Sequence, residues 1–259
     1  MKNFDIESLV NFEPPKYLCY RCCALLYEAP SSFNKQNPHC PVCGVEYLPS
    51  DDYKGWQVGK FLEQEGLALD QKDLFTHSRD LARIAKRARE YFATLGTIKP
   101  HPLYCPIRAL LEAINAARSF VHFTSFGISH LFVGALKLAS LHVNIRGIIS
   151  GPDKNIIDEL TKYRDETPNF YLYVFDKKSG SVDWNTTPHQ KIIIIDGLLA
   201  FKGSANLTVT GWRKAQESRE VIELVTNTKE VGELNNRFFS SIWADSNKID
   251  SVDMEALPF

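Results

Sequence analysis

The chain has 259 residues, 44% hydrophobic and 24% charged, which is the composition of a folded protein with one large domain and a small appendage. Its formal net charge of −1 argues against a broad basic surface, so any polyanion must be bound by a local patch. The first residues carry acids where a secretory leader needs an apolar run, and no segment approaches the roughly 18 apolar residues of a membrane span. We therefore expect a cytoplasmic protein without membrane contact.

Five of the six cysteines lie within residues 19–43, and four of them form two Cys-x2-Cys pairs: Cys19, Cys22, Cys40 and Cys43. The seventeen residues between the pairs are typical of a four-cysteine zinc site in a reducing compartment. Cys23 is an alternative to Cys22, and His39 is a competing ligand. Residues 15–50 resemble a zinc ribbon, which predicts one structural Zn²⁺ per chain in a domain of residues 1–52. This module either needs its metal only to fold, or it contacts nucleic acid or a partner.

Residues 53–100 are predicted to be a helical linker that contains one basic helix. Ser78 is the expected N-cap of this helix, Gly96 ends it, and apolar residues recur between them at helical spacing. Five basic side chains line its outer face: Arg79, Arg83, Lys86, Arg87 and Arg89. Such a face is either simply solvated or contacts phosphates, and Arg83 and Arg87 are the candidate substrate-binding residues.

From about residue 101 the chain alternates helical and strand-like segments, which predicts an α/β domain over residues 101–259. Helices are expected at 106–118, 130–140, 155–163 and 231–244. Strands are expected at 119–127, 142–150, 169–175, 191–196, 198–204 and 218–227. Four consecutive isoleucines at 192–195 indicate a central strand that is buried on both faces. The expected architecture is a sheet flanked by helices.

One segment carries the residues that phosphodiester chemistry requires: His189-x-Lys191, Asp196 and Gly203-Ser204-x-Asn206. Side chains two apart on a strand share a face, so an imidazole nucleophile lies beside a cation that can offset charge on phosphate oxygens. Ser204 and Asn206 follow a strand end, where donors can converge on an oxyanion. Asp196, the acid of the motif, has the opposite parity, so we expect it to bond a neighbouring loop.

These residues, at this spacing, resemble the motif of the phospholipase D superfamily, and the order of elements from about residue 106 extends the resemblance to residues 101–245. The resemblance implies that His189 forms a covalent phosphoenzyme and that Lys191, Ser204 and Asn206 hold the phosphate. It also implies an acid on the following strand that orients the histidine. Glu220 is the best match for that acid and Glu223 the second, although Ser218 stands where many members have asparagine.

The chain holds a single copy of this motif, and the other histidines lack its pattern: His77, His101, His122, His130 and His142. We expect each of these to be an ordinary core or surface histidine. Because the superfamily builds one site from two motifs, the resemblance implies a symmetric homodimer in which one His189 attacks and the other acts as acid and base. It also implies that no catalytic metal is needed.

Three functions are compatible with the sequence. The first is a nuclease, with DNA preferred over RNA, which the zinc ribbon and the basic helix favour; Tyr104 and Trp184 are candidates for base stacking. The second is a lipid phosphodiesterase or phosphatidyl transferase, for which no amphipathic membrane-binding segment is evident. The third is a catalytically silent nucleic-acid-binding module.

Overall fold

The computed structural model describes residues 15, 17–19, 21–26, 39–45, 49–50, 55–56, 59–60, 77, 79–86, 106–151, 155–156, 158–160, 162, 169–174, 188–217 and 219–244. Several residues named above lie outside this set: Ser78, Arg87, Arg89, Gly96, His101, Tyr104, Trp184 and Ser218.

A six-stranded sheet forms the centre of the α/β region. Its strands are β6 (Phe120–Ser125), β7 (Asn144–Ile149), β8 (Phe170–Val174), β9 (Lys191–Ile195), β10 (Leu199–Gly203) and β11 (Ile222–Val225). Across the sheet they lie in the order β11-β10-β9-β6-β7-β8. β6, β7 and β8 run parallel, whereas β9 is antiparallel to both β6 and β10, and β10 is antiparallel to β11. The four isoleucines of β9 are at most 4% exposed, which confirms the predicted central strand.

Four labelled helices accompany the sheet: α1 (Pro106–Ala116), α2 (His130–Ala139), α3 (Val209–Gln216) and α4 (Thr228–Asn235). A π-helical turn, Asn236–Ser240, continues α4, and residues 241–244 are again α-helical. Residues 155–156, 158–160 and 162 are also helical. The sheet flanked by helices confirms the predicted fold class. Helix α3 was not predicted from the sequence.

The two faces of the sheet pack against different parts of the chain. One face shares a hydrophobic cluster with α1, α2 and α3 and with the helical segment 79–86, whose Leu81, Ile84 and Ala85 are buried. The opposite face packs against α4, the π-helical turn and Trp243. Leu18, Cys23 and Leu25 also pack here; they belong to the cysteine-rich region, by which we mean the described residues between 15 and 45. The helix expected after Ser78 is thus present over residues 79–86, with exposed basic side chains on its outer face.

Among the described residues of the N-terminal region are five two-residue strands: β1 (Tyr17–Leu18), β2 (Leu25–Leu26), β3 (Pro49–Ser50), β4 (Gly55–Trp56) and β5 (Gly59–Lys60). β1 pairs with both β2 and β5, and β3 pairs with β4. β4 and β5 therefore contribute strands from within residues 53–100, where the sequence indicated helix.

Asn236 fixes the cysteine-rich region to the α/β region. Its carboxamide accepts a hydrogen bond from the Leu25 N–H at 2.7 Å and donates one to the Leu25 carbonyl at 2.8 Å, as a neighbouring strand would. Asn235 donates to the Cys23 carbonyl at 3.0 Å and accepts from the buried His122 at 2.8 Å. These buried polar contacts make the cysteine-rich region part of the packing of the sheet.

Candidate active site and metal centre

The candidate active site lies at the edge of the central sheet where β6, β7 and β10 end and β9 begins. The register of β9 and β10 places Gly203 opposite Lys191, so Ser204 follows directly beside that lysine. β6 runs antiparallel to β9, and Phe126, the residue after β6, therefore leaves the sheet at the same edge. Residues far apart in sequence converge here because strand ends meet at one edge of the sheet.

His189 is exposed and lies just before β9. The ring stacks on Phe126, with 5.2 Å between ring centroids and an interplanar angle of 9°. The His189 carbonyl accepts a hydrogen bond from the Lys191 ammonium, and the Pro188 carbonyl accepts one from Ser150 Oγ at 2.8 Å. One face of the imidazole is thus covered by an aromatic ring.

Lys191 places a cation beside the candidate nucleophile, since its ammonium donates to the His189 carbonyl. Burial lowers the pKa of Lys191 below its ordinary value of 10.5, and the Glu220 carboxylate opposes that shift. Partial burial raises the free energy of the charged ammonium, and a phosphate bound beside it lowers that free energy again. A half-buried lysine at this position is therefore suited to binding an anion.

Ser204 and Glu220 form a second part of the site. The Ser204 hydroxyl donates to the Glu220 carboxylate and accepts from the Val221 N–H at 2.9 Å, while the Ser204 N–H donates to the Val221 carbonyl at 3.0 Å. Glu220 therefore contacts Ser204 and lies near Lys191, and within the described residues its hydrogen bond does not reach the His189 ring. Glu223 has a 61% exposed side chain that pairs with Lys202 at 3.4 Å, whereas Glu220 contacts Ser204.

Asn206 is held between Phe126 and the start of α3. Its side-chain oxygen accepts from the Phe126 N–H at 3.3 Å, which leaves the NH₂ group to donate elsewhere. Its carbonyl accepts from the Thr208 N–H at 2.6 Å, and Thr208 caps α3 by accepting from the Gly211 N–H. A side chain at Gly211 would meet the Asn206 carbonyl at 2.9 Å, so only glycine allows α3 to begin this close to Asn206.

Asp196 lies directly after β9, at the opposite end from His189, and the five-residue strand between them is about 16 Å long. Its buried carboxylate accepts hydrogen bonds at 2.9 Å from the backbone N–H groups of residues 118, 119 and 120. His77 Nε2 lies 2.7 Å from the same carboxylate. Asp196 thus bonds the loop before β6, which is the type of contact indicated by its parity.

Three of the other described histidines, His77, His122 and His130, pair with residues outside the candidate site. His122 is fully buried, where desolvation first and Arg146 second lower its pKa well below 6.5, so it stays neutral. His130 is exposed and pairs with Glu159 at 2.5 Å. Arg83, proposed from the sequence to bind substrate, is exposed and pairs with Asp80 at 3.1 Å.

The four sulfur atoms of Cys19, Cys22, Cys40 and Cys43 lie within 4.8 Å of one another and can hold a metal ion. The Cys19–Cys43 and Cys22–Cys40 distances are 3.8 and 3.7 Å. A tetrahedron with Zn–S bonds of about 2.3 Å has sulfur–sulfur edges of about 3.8 Å, so the spacing fits such an ion. The alternative ligands Cys23 and His39 do not belong to this group.

The backbone around the four cysteines forms two similar turns. Cys23 N–H donates to the Cys19 carbonyl at 2.8 Å, and Gly44 N–H donates to the Cys40 carbonyl at 2.9 Å. Cys23 and Gly44 have φ angles of 58° and 69°, the left-handed conformation that closes each turn. The neighbouring thiols Cys19 and Cys40, together with burial, raise the pKa of Cys22 far above its ordinary value. Four ionised thiols therefore need a cation among them.

Sequence reasoning missed two contributors to the active site. Phe126 and Ser150 contact His189 and Pro188, yet neither belongs to the motif around His189. Their only sequence signal is their place directly after the apolar strands β6 and β7, where functional residues of α/β sheets often lie.

Comparison with known proteins finds one family model, described as "Cardiolipin synthase, PLD-like domain", which matches residues 110–243. This match covers just over half of the chain and includes every residue of the candidate active site. No curated protein matches the sequence significantly.

Similar solved structures include NucT from Helicobacter pylori, with 23% identity, 53% of this chain and 87% of that chain covered, and a TM-score of 0.41. Another is Nuc from Salmonella typhimurium, described as a phospholipase D family member, with 18% identity, coverage of 57% and 90%, and a TM-score of 0.42. The archaeal chromatin protein TrmBL2 has 14% identity, coverage of 77% and 75%, and a TM-score of 0.37. All three TM-scores lie below 0.5, so the family match alone carries the assignment.

Proposed function

Because this chain belongs to the family of phospholipase D-like domains, we propose that it is a phosphodiesterase that uses His189 as its nucleophile and needs no catalytic metal. The observation that carries the proposal is the convergence of His189, Lys191, Ser204, Asn206 and Glu220 at one edge of the sheet. An exposed imidazole there lies beside a half-buried ammonium and two side chains that can donate hydrogen bonds.

In the first step, an imidazole nitrogen of His189 forms a bond to phosphorus, and the bond from phosphorus to the leaving alcohol oxygen breaks. The Lys191 ammonium and the Asn206 NH₂ group stabilise the negative charge on the non-bridging oxygens. Ser204, oriented by Glu220, lies where it can contribute a further hydrogen bond. In the second step, water attacks phosphorus and the bond to His189 breaks, which releases the phosphate monoester.

The leaving oxygen needs a proton, and we propose that a second copy of the chain supplies it. In a two-fold dimer, His189 of the partner subunit protonates the leaving oxygen and then removes a proton from the attacking water. The two imidazoles then start in different protonation states and titrate as a coupled pair.

We propose nucleic acid, and DNA rather than RNA, as the substrate. The segment that joins Asn206 to Glu220 carries three exposed basic side chains, Arg213, Lys214 and Arg219, of which Arg219 pairs with Glu217 at 3.6 Å. These cations lie in the chain between two residues of the site, where they can attract the phosphates that flank the scissile bond. Arg83 and Arg87 are proposed as a secondary contact, since Arg83 is already paired with Asp80. Within the described ranges, no helix is both long and apolar enough to cross a bilayer.

We also propose that the metal held by the four cysteines is Zn²⁺, bound once per chain. All-thiolate tetrahedral sites without an open position are typical of structural zinc. The ion would stabilise the fold and take no part in the reaction.

The test is cleavage of single-stranded DNA, duplex DNA, RNA and phospholipid by zinc-loaded protein in excess EDTA, with His189→Ala as the control. The metal content is measured after chelation to show that the structural ion remains. We expect DNA cleavage that survives EDTA and is absent from His189→Ala. Cleavage that requires added Mg²⁺ would refute the histidine mechanism, and cleavage of phospholipid alone would replace nucleic acid with a lipid substrate.

A further inference from the structure

Phe126 is the one aromatic ring that stacks on the candidate nucleophile among the described residues. It lies nearly parallel to the His189 imidazole, with an interplanar angle of 9°. A ring packed against one face of an exposed imidazole restricts rotation about its side-chain bonds. The direction in which the His189 nitrogens point therefore depends on where the Phe126 ring lies.

Phe126 is itself fixed at three points. Its N–H donates to the Asn206 side-chain oxygen at 3.3 Å, and its carbonyl accepts from the Gly151 N–H at 2.7 Å. Its ring lies directly over Gly151, where an added Cβ would be 2.6 Å from Phe126 Cζ and 2.7 Å from Cε1. Any side chain at position 151 would therefore displace the ring.

Ser150, the residue before Gly151, fixes the other side of the nucleophile. It is 2% exposed, and its hydroxyl donates to the Pro188 carbonyl. The two-residue segment Ser150–Gly151 thus bonds the backbone that precedes His189 and also supports the ring that lies behind its imidazole.

We propose that Phe126 is a positioning residue for His189, and that Gly151 is glycine because the Phe126 ring must occupy the space of a side chain there. This role rests on the proposed function, because its kinetic test measures kcat of the phosphodiesterase reaction. Phe126 does not touch the reacting atoms; it acts by holding the imidazole in the direction of attack. A displacement of a nucleophile by about 1 Å can cost on the order of 100-fold in rate.

Removal of the ring tests the stacking contact. We expect Phe126→Leu to lower kcat by roughly 30- to 100-fold with less than a threefold change in KM, because orientation is lost while phosphate binding is kept. Phe126→Tyr keeps the ring and should restore most of kcat. Phe238→Leu is the matched control, because Phe238 is a partly buried phenylalanine on the opposite face of the sheet, and its kcat should be unchanged.

A pair of glycine variants tests the support of the ring. Gly151→Ala should lower kcat about tenfold or more because its methyl group displaces the Phe126 ring. Gly134→Ala on α2 is the matched control, since a Cβ there meets nothing within 4 Å, and it should leave kcat unchanged. If Gly151 acts through the ring, Gly151→Ala should have little further effect in a Phe126→Leu background.

The His189 imidazole proton signal in NMR, assigned with His189→Ala, reports the stacking without any activity. We expect Phe126→Leu and Gly151→Ala to move this signal, and Gly134→Ala to leave it in place. A signal that both variants leave unmoved would overturn the proposal, as would a fully additive Phe126→Leu, Gly151→Ala double variant. If the wild type lacks phosphodiesterase activity while Phe126→Leu and Gly151→Ala still move the signal, the proposed function is refuted and the positioning contact is supported.

Discussion

Replacing Asn236 with alanine tests whether the cysteine-rich region is part of the protein core. The Asn236 carboxamide bonds both the N–H and the carbonyl of Leu25, at 2.7 and 2.8 Å, and Leu25 is 1% exposed. Alanine leaves both backbone groups without their partner. Each buried unpaired group costs about 1–3 kcal/mol. Because Asn236 is half-buried and water can reach part of the gap, we expect the free energy of unfolding to fall by about 2–4 kcal/mol.

The assay is equilibrium denaturation in urea of the metal-loaded protein, followed by circular dichroism. Ser241→Ala is the control: its hydroxyl donates only to the Arg237 carbonyl within the same helical segment, so we expect a change below about 0.5 kcal/mol. Release of the metal to a chelator is measured in parallel. It should be faster in Asn236→Ala, because the metal escapes when the cysteine-rich region detaches.

A result that would refute this reasoning is an Asn236→Ala variant as stable as Ser241→Ala, with an unchanged rate of metal release. The cysteine-rich region would then fold and hold its metal independently of the sheet. A large loss of stability with unchanged metal release would show that the region can detach while its four thiolates still hold the ion.

Three further predictions concern the active site and the core. Because burial lowers the pKa of Lys191, kcat/KM should fall with rising pH at a midpoint below 10.5, and Lys191→Arg, whose charge persists, should flatten this alkaline limb in a pH-rate profile. Gly203→Ala would place a methyl group 1.9 Å from a carbonyl of the adjoining strand segment, so it should separate β10 from β11 and abolish cleavage while circular dichroism still shows a folded domain. Because burial lowers the pKa of His122 well below 6.5, only the unfolded chain takes up this proton as the pH falls below about 6.5. Stability should then fall with pH by up to about 1.4 kcal/mol per unit, and His122→Gln should reduce that slope in urea denaturation between pH 7 and 5.

The sheet and the motif could be predicted because their signals are local. The isoleucine run at 192–195 has no polar residue to place on a solvated face, so it must be a strand covered on both sides. His189 and Lys191 are two residues apart, so a strand through both predicts a common face for their side chains, whereas β9 itself begins at Lys191. The spacing of Cys19, Cys22, Cys40 and Cys43 works in the same way, because two residues between paired cysteines allow a tight turn around one ion.

Helix α3 could not be predicted because tertiary contacts stabilise it. Its first residues, Val209 and Thr210, are β-branched, and Gly211 is a poor helix former, so its intrinsic propensity is low. Trp212 is 2% exposed and packs near Phe132 and Phe201, which the sequence does not place together. The contact of Phe126 with His189 was missed for a related reason, since residues 126, 151 and 189 meet only once the strand order is known.

β6 connects the cysteine-rich region, Asp196 and His189. The strand is about 20 Å long, and Asp196 bonds its first residue, Phe120, at the end farthest from His189. In its middle, His122 bonds Asn235, which also bonds the carbonyl of Cys23. At its other end, Phe126 stacks on His189. Asp196 is therefore too distant to exchange protons with substrate, and its contribution to the site must pass through the position of β6. The same strand connects the cysteine-rich region to His189 without any contact between the four cysteines and His189.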